Sequence, residues 1–435
     1  MSYLNRMERL LDEKMRELHV SNEAEFAILN GFKRAQLKQK RRKQLVYSMS
    51  SVAVLLVSLT FLIRFSPTFA QALENIPGLG AIVTLVQDDK GIEASIENQY
   101  YEEIGSSMTV QDITMAIDGV IADETGMILS YTLEAPFSLN DVYLGKIDLF
   151  QNNKKIELGF TMVRSSSDKT ITKVEETIRV ITPPSHIIDY SNPHFELFVS
   201  IDNQEDIQFT FPITLEKEIA KTITHDVNKE VTISDQKLTI QQVKVSPLRA
   251  AIEMKIDGDN DMQIFEFATL KLQDEKGELW GTPKASGTSV GYGGVDNTER
   301  TYFIESNYFR QPKELYLIIG DIEALPEDER ELQIDFEKKQ VISQSQQYPI
   351  RIENIQKNGF EAWFEPEDDF LGSLFHTGID CNGQEVSVSG YESGQAEEGY
   401  YHFITLEEVT FVNPVTFKIQ SYPNYFGETV KIQVK

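Results

Sequence analysis

The chain has 435 residues, long enough for two to four domains of ordinary size. Lys and Arg total 41 against 68 Asp and Glu, and the net charge of −27 is unevenly placed: residues 1–43 hold 11 basic and 6 acidic side chains, residues 65–435 hold 29 and 62. So acidic a body excludes broad nucleic-acid binding, which needs cations to displace counterions, and 41% apolar with 10% aromatic residues excludes a disordered chain.

Residues 3–18 place Leu4, Met7, Leu11, Met15 and Leu18 at spacings of 3, 4, 4 and 3, one stripe on a helix whose other faces carry charge. Asn22 with Glu25 offers a loose capping box, and a second helical stretch follows with Phe26, Leu29 and Phe32. Some 40 residues cannot build much of a core, so both stripes need a cover. A self-packed hairpin or a helix lying on the membrane would supply one. A protein partner fits better, because residues 1–37 carry 6 basic and 6 acidic side chains, whereas a membrane-surface helix is normally basic on its polar face.

The run QLVYSMSSVAVLLVSLTFLI, residues 44–63, has no charge and at about 1.5 Å per residue spans roughly 30 Å, a bilayer core. Lys38, Lys40, Arg41, Arg42 and Lys43 precede it, and Arg64 alone follows before Lys90. The positive-inside rule then puts the N-terminus in the cytoplasm and the body outside. Ala70-Gln71-Ala72 resembles a signal-peptide cleavage site, but the leading segment and the apolar run are both too long for an ordinary secretory signal. A single uncleaved span over 44–65 is expected.

Ser66-Pro67 ends that helix, and short helical pieces are expected at 81–87 and 92–98. From about residue 108 the period becomes two. Ile113, Met115 and Ile117 alternate with polar or small neighbours, and an Ala-Asp-Glu-Thr-Gly turn at 122–126 leads into a strand over 127–133. Runs at 195–201, 238–245, 251–256, 315–319, 415–419 and 430–434 read the same way. The fold class is therefore mainly β, with cytoplasmic helices, one transmembrane helix and external antiparallel sandwiches of the immunoglobulin-like kind. Polar joints at 216–218 and 337–340 suggest a tail over 1–43, the span over 44–65, and β blocks over 66–217, 218–340 and 341–435.

Two stretches resemble known families. Ser66-Pro67, Ile76-Pro77-Gly78-Leu79, Asp89-Lys90-Gly91, Glu97-Asn98 and Ala122-Asp123-Glu124-Thr125 make residues from about 45 to 135 closely similar to the bacterial domain of unknown function 4179. The segment from about 225 to 338 resembles the domain of unknown function 5643, through residues 245–249 (VSPLR) and 272–280 (LQDEKGELW). Residues 341–435 carry no such resemblance. The first likeness implies the plan of a Gram-positive membrane protein with a basic cytoplasmic tail, one anchor and an external β region. Many such proteins look like anti-sigma factors, whose tail sequesters a sigma factor until an external signal arrives. It implies no catalytic residues.

Candidate chemistry is sparse. Residues 287–291 match Gly-x-Ser-x-Gly around Ser289, but no helical pattern follows, as a nucleophile elbow requires. Asp257, Asp259 and Asp261 open like a calcium loop, yet Met262 and Ala268 stand where that loop needs Gly and Glu, so a polar turn is expected. The acidic clusters at 326–330 and 365–369 read as solvated loops. Histidines 19, 186, 194, 225, 376 and 402 lack paired-ligand spacing, and the lone Cys381 excludes an intrachain disulfide framework. Tyr100-Tyr101 and Tyr400-Tyr401 read as packing residues with a ligand surface as the other option. No cofactor, no metal and no enzyme activity are expected. The expectation is a membrane-anchored regulator whose residues 4, 7, 11, 15, 18, 26, 29 and 32 bind a cytoplasmic sigma factor, or else an anchored external binding module.

Overall fold

A computed structural model describes residues 89–162, 170–183, 188–282, 292–364, 372–396, 399–407 and 410–435. Leu4, Met7, Leu11, Met15, Leu18, Phe26, Leu29, Phe32 and the expected span lie outside these, as do Ser289 and the cluster at 365–369. Among the described residues, no helix is long and apolar enough to cross a membrane.

The first block opens with helix α1 (Lys90–Glu97), followed by β1 (Glu102–Val110), β2 (Ile113–Asp123), β3 (Gly126–Glu134), β4 (Leu144–Gln151), β5 (Lys154–Ile156), β6 (Gly159–Met162), β7 (Lys173–Ile181), β8 (His194–Ile201) and β9 (Gln204–Thr214). Two antiparallel sheets result, ordered β1-β2-β3-β7-β6 and β5-β4-β8-β9. They face each other across a core that takes Ile113, Met115 and Leu129 from one sheet and Leu149, Leu197 and Phe209 from the other. The alternation in β2 follows from this arrangement: Ile113, Met115 and Ile117 point inward and are fully buried, with half-buried residues between them. A register shift between Ile117 and Gly119 interrupts it, and from Gly119 to Asp123 both faces are buried.

The second block contains β10 (Ile223–Ile233), β11 (Gln236–Val245), β12 (Ala250–Ile256), β13 (Met262–Asp274), β14 (Leu279–Trp280), β15 (Glu299–Ile304) and β16 (Leu315–Pro326). One sheet runs β10-β11-β12-β15 and the other β14-β13-β16, around a core holding Ile240, Ile252, Leu272, Trp280 and Leu317.

The third block follows with β17 (Glu331–Asp335), β18 (Gln340–Ser343), β19 (Arg351–Gln356), β20 (Gly359–Phe364), β21 (Thr377–Asp380), β22 (Glu385–Ala396), β23 (Gly399–Leu406) and β24 (Val415–Lys418). Its eight strands are ordered β18-β17-β24-β21-β22-β23-β20-β19. The long β22 pairs with β21 through its first residues and with β23 from Val388 onward, with a register shift at 388–390, so one strand serves two halves of the sheet. The core is aromatic: Phe360 lies 5.3 Å from Phe417 and 6.0 Å from Phe336 and Phe375, ring centre to ring centre. Phe265 and Leu325 of the second block belong to the same cluster.

Two features depart from the sequence reading. The polar run 337–340 lies at the turn between β17 and β18, two strands of the third block, rather than between blocks. After β24 the chain then returns to the second block: β25 (Tyr425–Phe426) and β26 (Val430–Gln433) both pair with β16. Gly320 of β16 permits this, since a Cβ there would lie 2.6 Å from the Thr429 Cα. Ile432 is fully buried in the second core. Ile432→Ala should therefore destabilise the second block by about 2–5 kcal/mol. Denaturant unfolding followed through Trp280, in a Trp363→Phe background, should show its midpoint lowered.

Candidate functional site

A set of buried polar contacts lies where the first block meets the second, and it begins with α1. Asp89 caps this helix, its Oδ1 accepting from the main-chain N–H groups of Gly91 at 2.8 Å and Ile92 at 3.2 Å. Asn98 closes the other end, donating from Nδ2 to the Ala94 carbonyl at 2.8 Å. Gly91 has a steric reason, because a Cβ there would sit 2.8 Å from both Cβ and N of Ser306. Glu305 ties the helix start to the second block: Oε1 accepts from Lys90 N at 3.0 Å and Oε2 from Gly281 N at 3.1 Å. Lys90 Nζ donates to the Leu279 carbonyl at 2.6 Å.

The β2–β3 turn enters beside it. Asp123 is fully buried. Its Oδ1 accepts from Thr125 N at 2.7 Å and Thr125 Oγ1 at 2.6 Å, while Oδ2 accepts from Leu248 N at 2.7 Å. Arg249 donates from Nε to Thr125 Oγ1 at 2.9 Å and from a terminal guanidinium nitrogen to the Thr125 carbonyl, and its guanidinium carbon lies 4.5 Å from the centre of the Phe303 ring. Glu124 accepts from Thr222 N at 2.8 Å. Gly126 has φ +149°, and a Cβ there would run into the Val180 carbonyl, so only glycine fits the turn.

One turn of the second block receives both elements. Residues 246–249 join β11 to β12. The Ser246 carbonyl accepts from Ser306 Oγ, the Pro247 carbonyl from Ser95 Oγ at 3.1 Å, and Leu248 N and Arg249 grip the hairpin. The 122–126 stretch thus meets stretch 245–249 directly, α1 reaches the same turn through Ser95, and Leu279 of the 272–280 hairpin accepts from Lys90 at the helix start.

Burial dominates the electrostatics. The Asp89 carboxyl is pushed up to about 6, because losing water outweighs the favourable Arg179 charge and the capping N–H groups. Burial also raises Asp123 against the lowering effect of Arg249, and depresses Arg249 itself. Tyr190, whose hydroxyl donates to the Gly126 carbonyl at 3.3 Å, is raised by burial and then by the Asp123 charge.

Against α1 and the second block lies a cleft of about 240 Å³ lined by Lys90, Glu93, Glu278, Trp280, Asn307, Phe309 and Arg310 among others. Tyr100 packs edge-on to Phe309 at 5.1 Å. Tyr101 hydrogen-bonds Ser130 Oγ at 3.0 Å. Tyr401 packs on Trp363 at 4.8 Å, with Arg351 4.6 Å from the other ring's centre. The Asp257–Asp261 stretch joins β12 to β13, with Asp257 Oδ1 accepting from Asp259 N at 3.1 Å and Asp261 Oδ1 from Gln236 Nε2 at 2.7 Å. Among the described residues, no group of three or more His, Cys, Asp or Glu could hold a metal. Cys381 is exposed, and His402 is buried against Phe364 and Tyr391. The sequence reading marked the 245–249 stretch that holds Ser246, but neither Glu305 nor Asn307. Their signal is a carboxylate or a side-chain amide in the short stretch after a strand, which periodicity does not detect.

Residues 40–135 match the domain of unknown function DUF4179, and residues 222–353 match the family of unknown function DUF5643. No curated protein matches the chain. One solved structure, titled the crystal structure of the conserved domain protein from Bacillus anthracis, is similar over 56% of this chain and 84% of its own, at 13% identity and a TM-score of 0.39.

Asp123→Ala strips Leu248 N and Thr125 of their acceptor and should cost about 2–4 kcal/mol, with Asp123→Asn milder because one acceptor survives. Chemical denaturation checks the ranking. For Asp89, a folded-state value above the unfolded one means the folded chain binds the extra proton between about pH 4 and 6. Its ionisation therefore removes stability as pH rises through that window, by at most about 3 kcal/mol. Asp89→Asn, which keeps a capping oxygen, should match the parent near pH 4 and exceed its melting temperature at pH 7.5.

Proposed function

We propose that the chain is a single-pass membrane signalling regulator of the anti-sigma-factor type, with its tail in the cytoplasm and its β blocks outside. The reading is carried by the extent of the DUF4179 match. Residues 40–135 run from the basic flank through the apolar segment to α1 and the β2–β3 hairpin, the two elements held by the second block. One family unit thus links the expected anchor to the junction, where a change in the exterior would reach the chain just beyond the membrane. The opposed charges of tail and body support the proposed topology.

In this mechanism the stripe Leu4, Met7, Leu11, Met15 and Leu18, extended by Phe26, Leu29 and Phe32, packs on helices of a sigma factor and covers its polymerase-binding surface. An external ligand, wall stress or a protease then releases the partner, through cleavage near the membrane or a conformational change passed along the junction. The charge balance of residues 1–37 supports a protein partner over the membrane surface.

The test is co-purification from the native host with the full-length chain, parent against the Leu11→Asp, Leu18→Asp double variant. The expected outcome is a sigma factor retained by the parent and lost by the variant. Equal retention by both would remove the proposed interface. No retained sigma factor would favour an anchored external binding module.

A further inference from the structure

The cleft against α1 has a built polar floor. Asn307 is 3% exposed, and its side-chain Oδ1 has no hydrogen-bond partner. Its main-chain carbonyl is engaged by Arg310 N at 3.0 Å, which fixes the loop that carries both residues. A buried amide oxygen without a donor is costly, so the position asks for an N–H or O–H from outside the chain.

The rim offers charges of both signs. Arg310 Nε lies 3.7 Å from Glu278 Oε1, too far for a hydrogen bond, and the two side chains are 55% and 37% exposed. The guanidinium therefore keeps donors for a second carboxylate, which it can grip in two-pronged fashion. Lys90 Nζ spends one donor on the Leu279 carbonyl and has two more. Glu93 and Glu278 supply negative charge to the same space. Phe309, held edge-on by Tyr100 and Tyr308 at 5.1 Å each, lines the same cleft as Trp280 and adds apolar surface to it.

We propose that this cleft binds a small zwitterion with a free ammonium and a free carboxylate, of dipeptide size. Its carboxylate lies on Arg310 and Lys90, its ammonium faces the glutamates, and an N–H donates to Asn307 Oδ1. The balance of two cations and two anions disfavours a polyanion such as a nucleotide. A volume of about 240 Å³ is below the roughly 300–1,000 Å³ of drug-sized sites. Because Lys90 and Glu93 come from α1 and the remaining groups from the second block, the ligand bridges the junction and binds only when it is closed. The inference does not depend on what the tail captures.

Trp280 is one of two tryptophans, so Trp363→Phe makes it the sole indole reporter. The full-length chain with that substitution, in detergent, is titrated with alanyl-alanine, with alaninamide as a cation alone and with N-acetylalanine as an anion alone. The expected result is a saturable change in Trp280 emission and a rise in melting temperature with alanyl-alanine. Binding should weaken about tenfold or more with either single-charge probe and in Arg310→Ala, with a similar loss in Asn307→Ala. Arg310 is exposed, so its variant keeps the fold and the test stands without the Asn307 variant. Three results overturn the proposal: no saturable response up to tens of millimolar, equal binding of a single-charge probe, or unchanged binding in Arg310→Ala. A crystal structure with only a water on Asn307 Oδ1 at saturating alanyl-alanine would overturn it as well.

Discussion

A carboxylate shut away from water survives in a fold only where donors reach it on fixed geometry, and those around Asp123 come from both partners of the junction. Thr125 supplies two from its own turn, and Leu248 supplies the third from 125 residues further along. Neither block satisfies the group alone. With Asp123 seated, the β2–β3 turn must enter the second block tip first, Gly126 must accept a backbone conformation closed to other residues, and Arg249 must fold over Phe303 to reach Thr125. Helix α1 then docks on the same turn through Ser95 and Pro247. The junction is thus one cooperative polar unit, and its parts have value mainly in company.

This arrangement changes what the DUF4179 stretch means physically. The match ends at residue 135, just after β3, yet β3 is covered on its far side by β7, and both belong to a sheet packed on strands running to residue 214. A chain cut at the limit of the match would lose half of that core and the second block's side of the junction. The unit seen in sequence is therefore not a unit of folding. It reads better as the part that delivers α1 and the β2–β3 hairpin to the second block, which grips both.

Much of this was legible in the residues. Ile113, Met115 and Ile117 announced an inward face by alternation, the 122–126 turn stood where it was expected, and Asp89 with Asn98 brackets a helix close to that anticipated over 92–98. Those signals are local, since a period of two or a capping side chain acts over a few residues. The contact between residues 122–126 and 245–249 was invisible because nothing in either stretch encodes the other's position. Each was noted as a landmark, and the hydrogen bonds that explain both appear only in three dimensions. The run 337–340 misled for a related reason: charged residues suit a tight hairpin turn as well as a joint between blocks, and composition does not separate the two.

The return of β26 to β16 has a consequence for synthesis. A chain emerging from the ribosome presents β10 to β16 first, then all eight strands of the third block, and only then the strip that pairs with β16. The second sheet must wait with one side of β16 uncovered while about a hundred further residues are made, a contact of high sequence separation. Early termination anywhere in the third block would leave that flank bare, and an unpaired strand edge invites association with other chains. Strands β25 and β26 thus seal the second block: a copy that stops before them carries its fault on its surface.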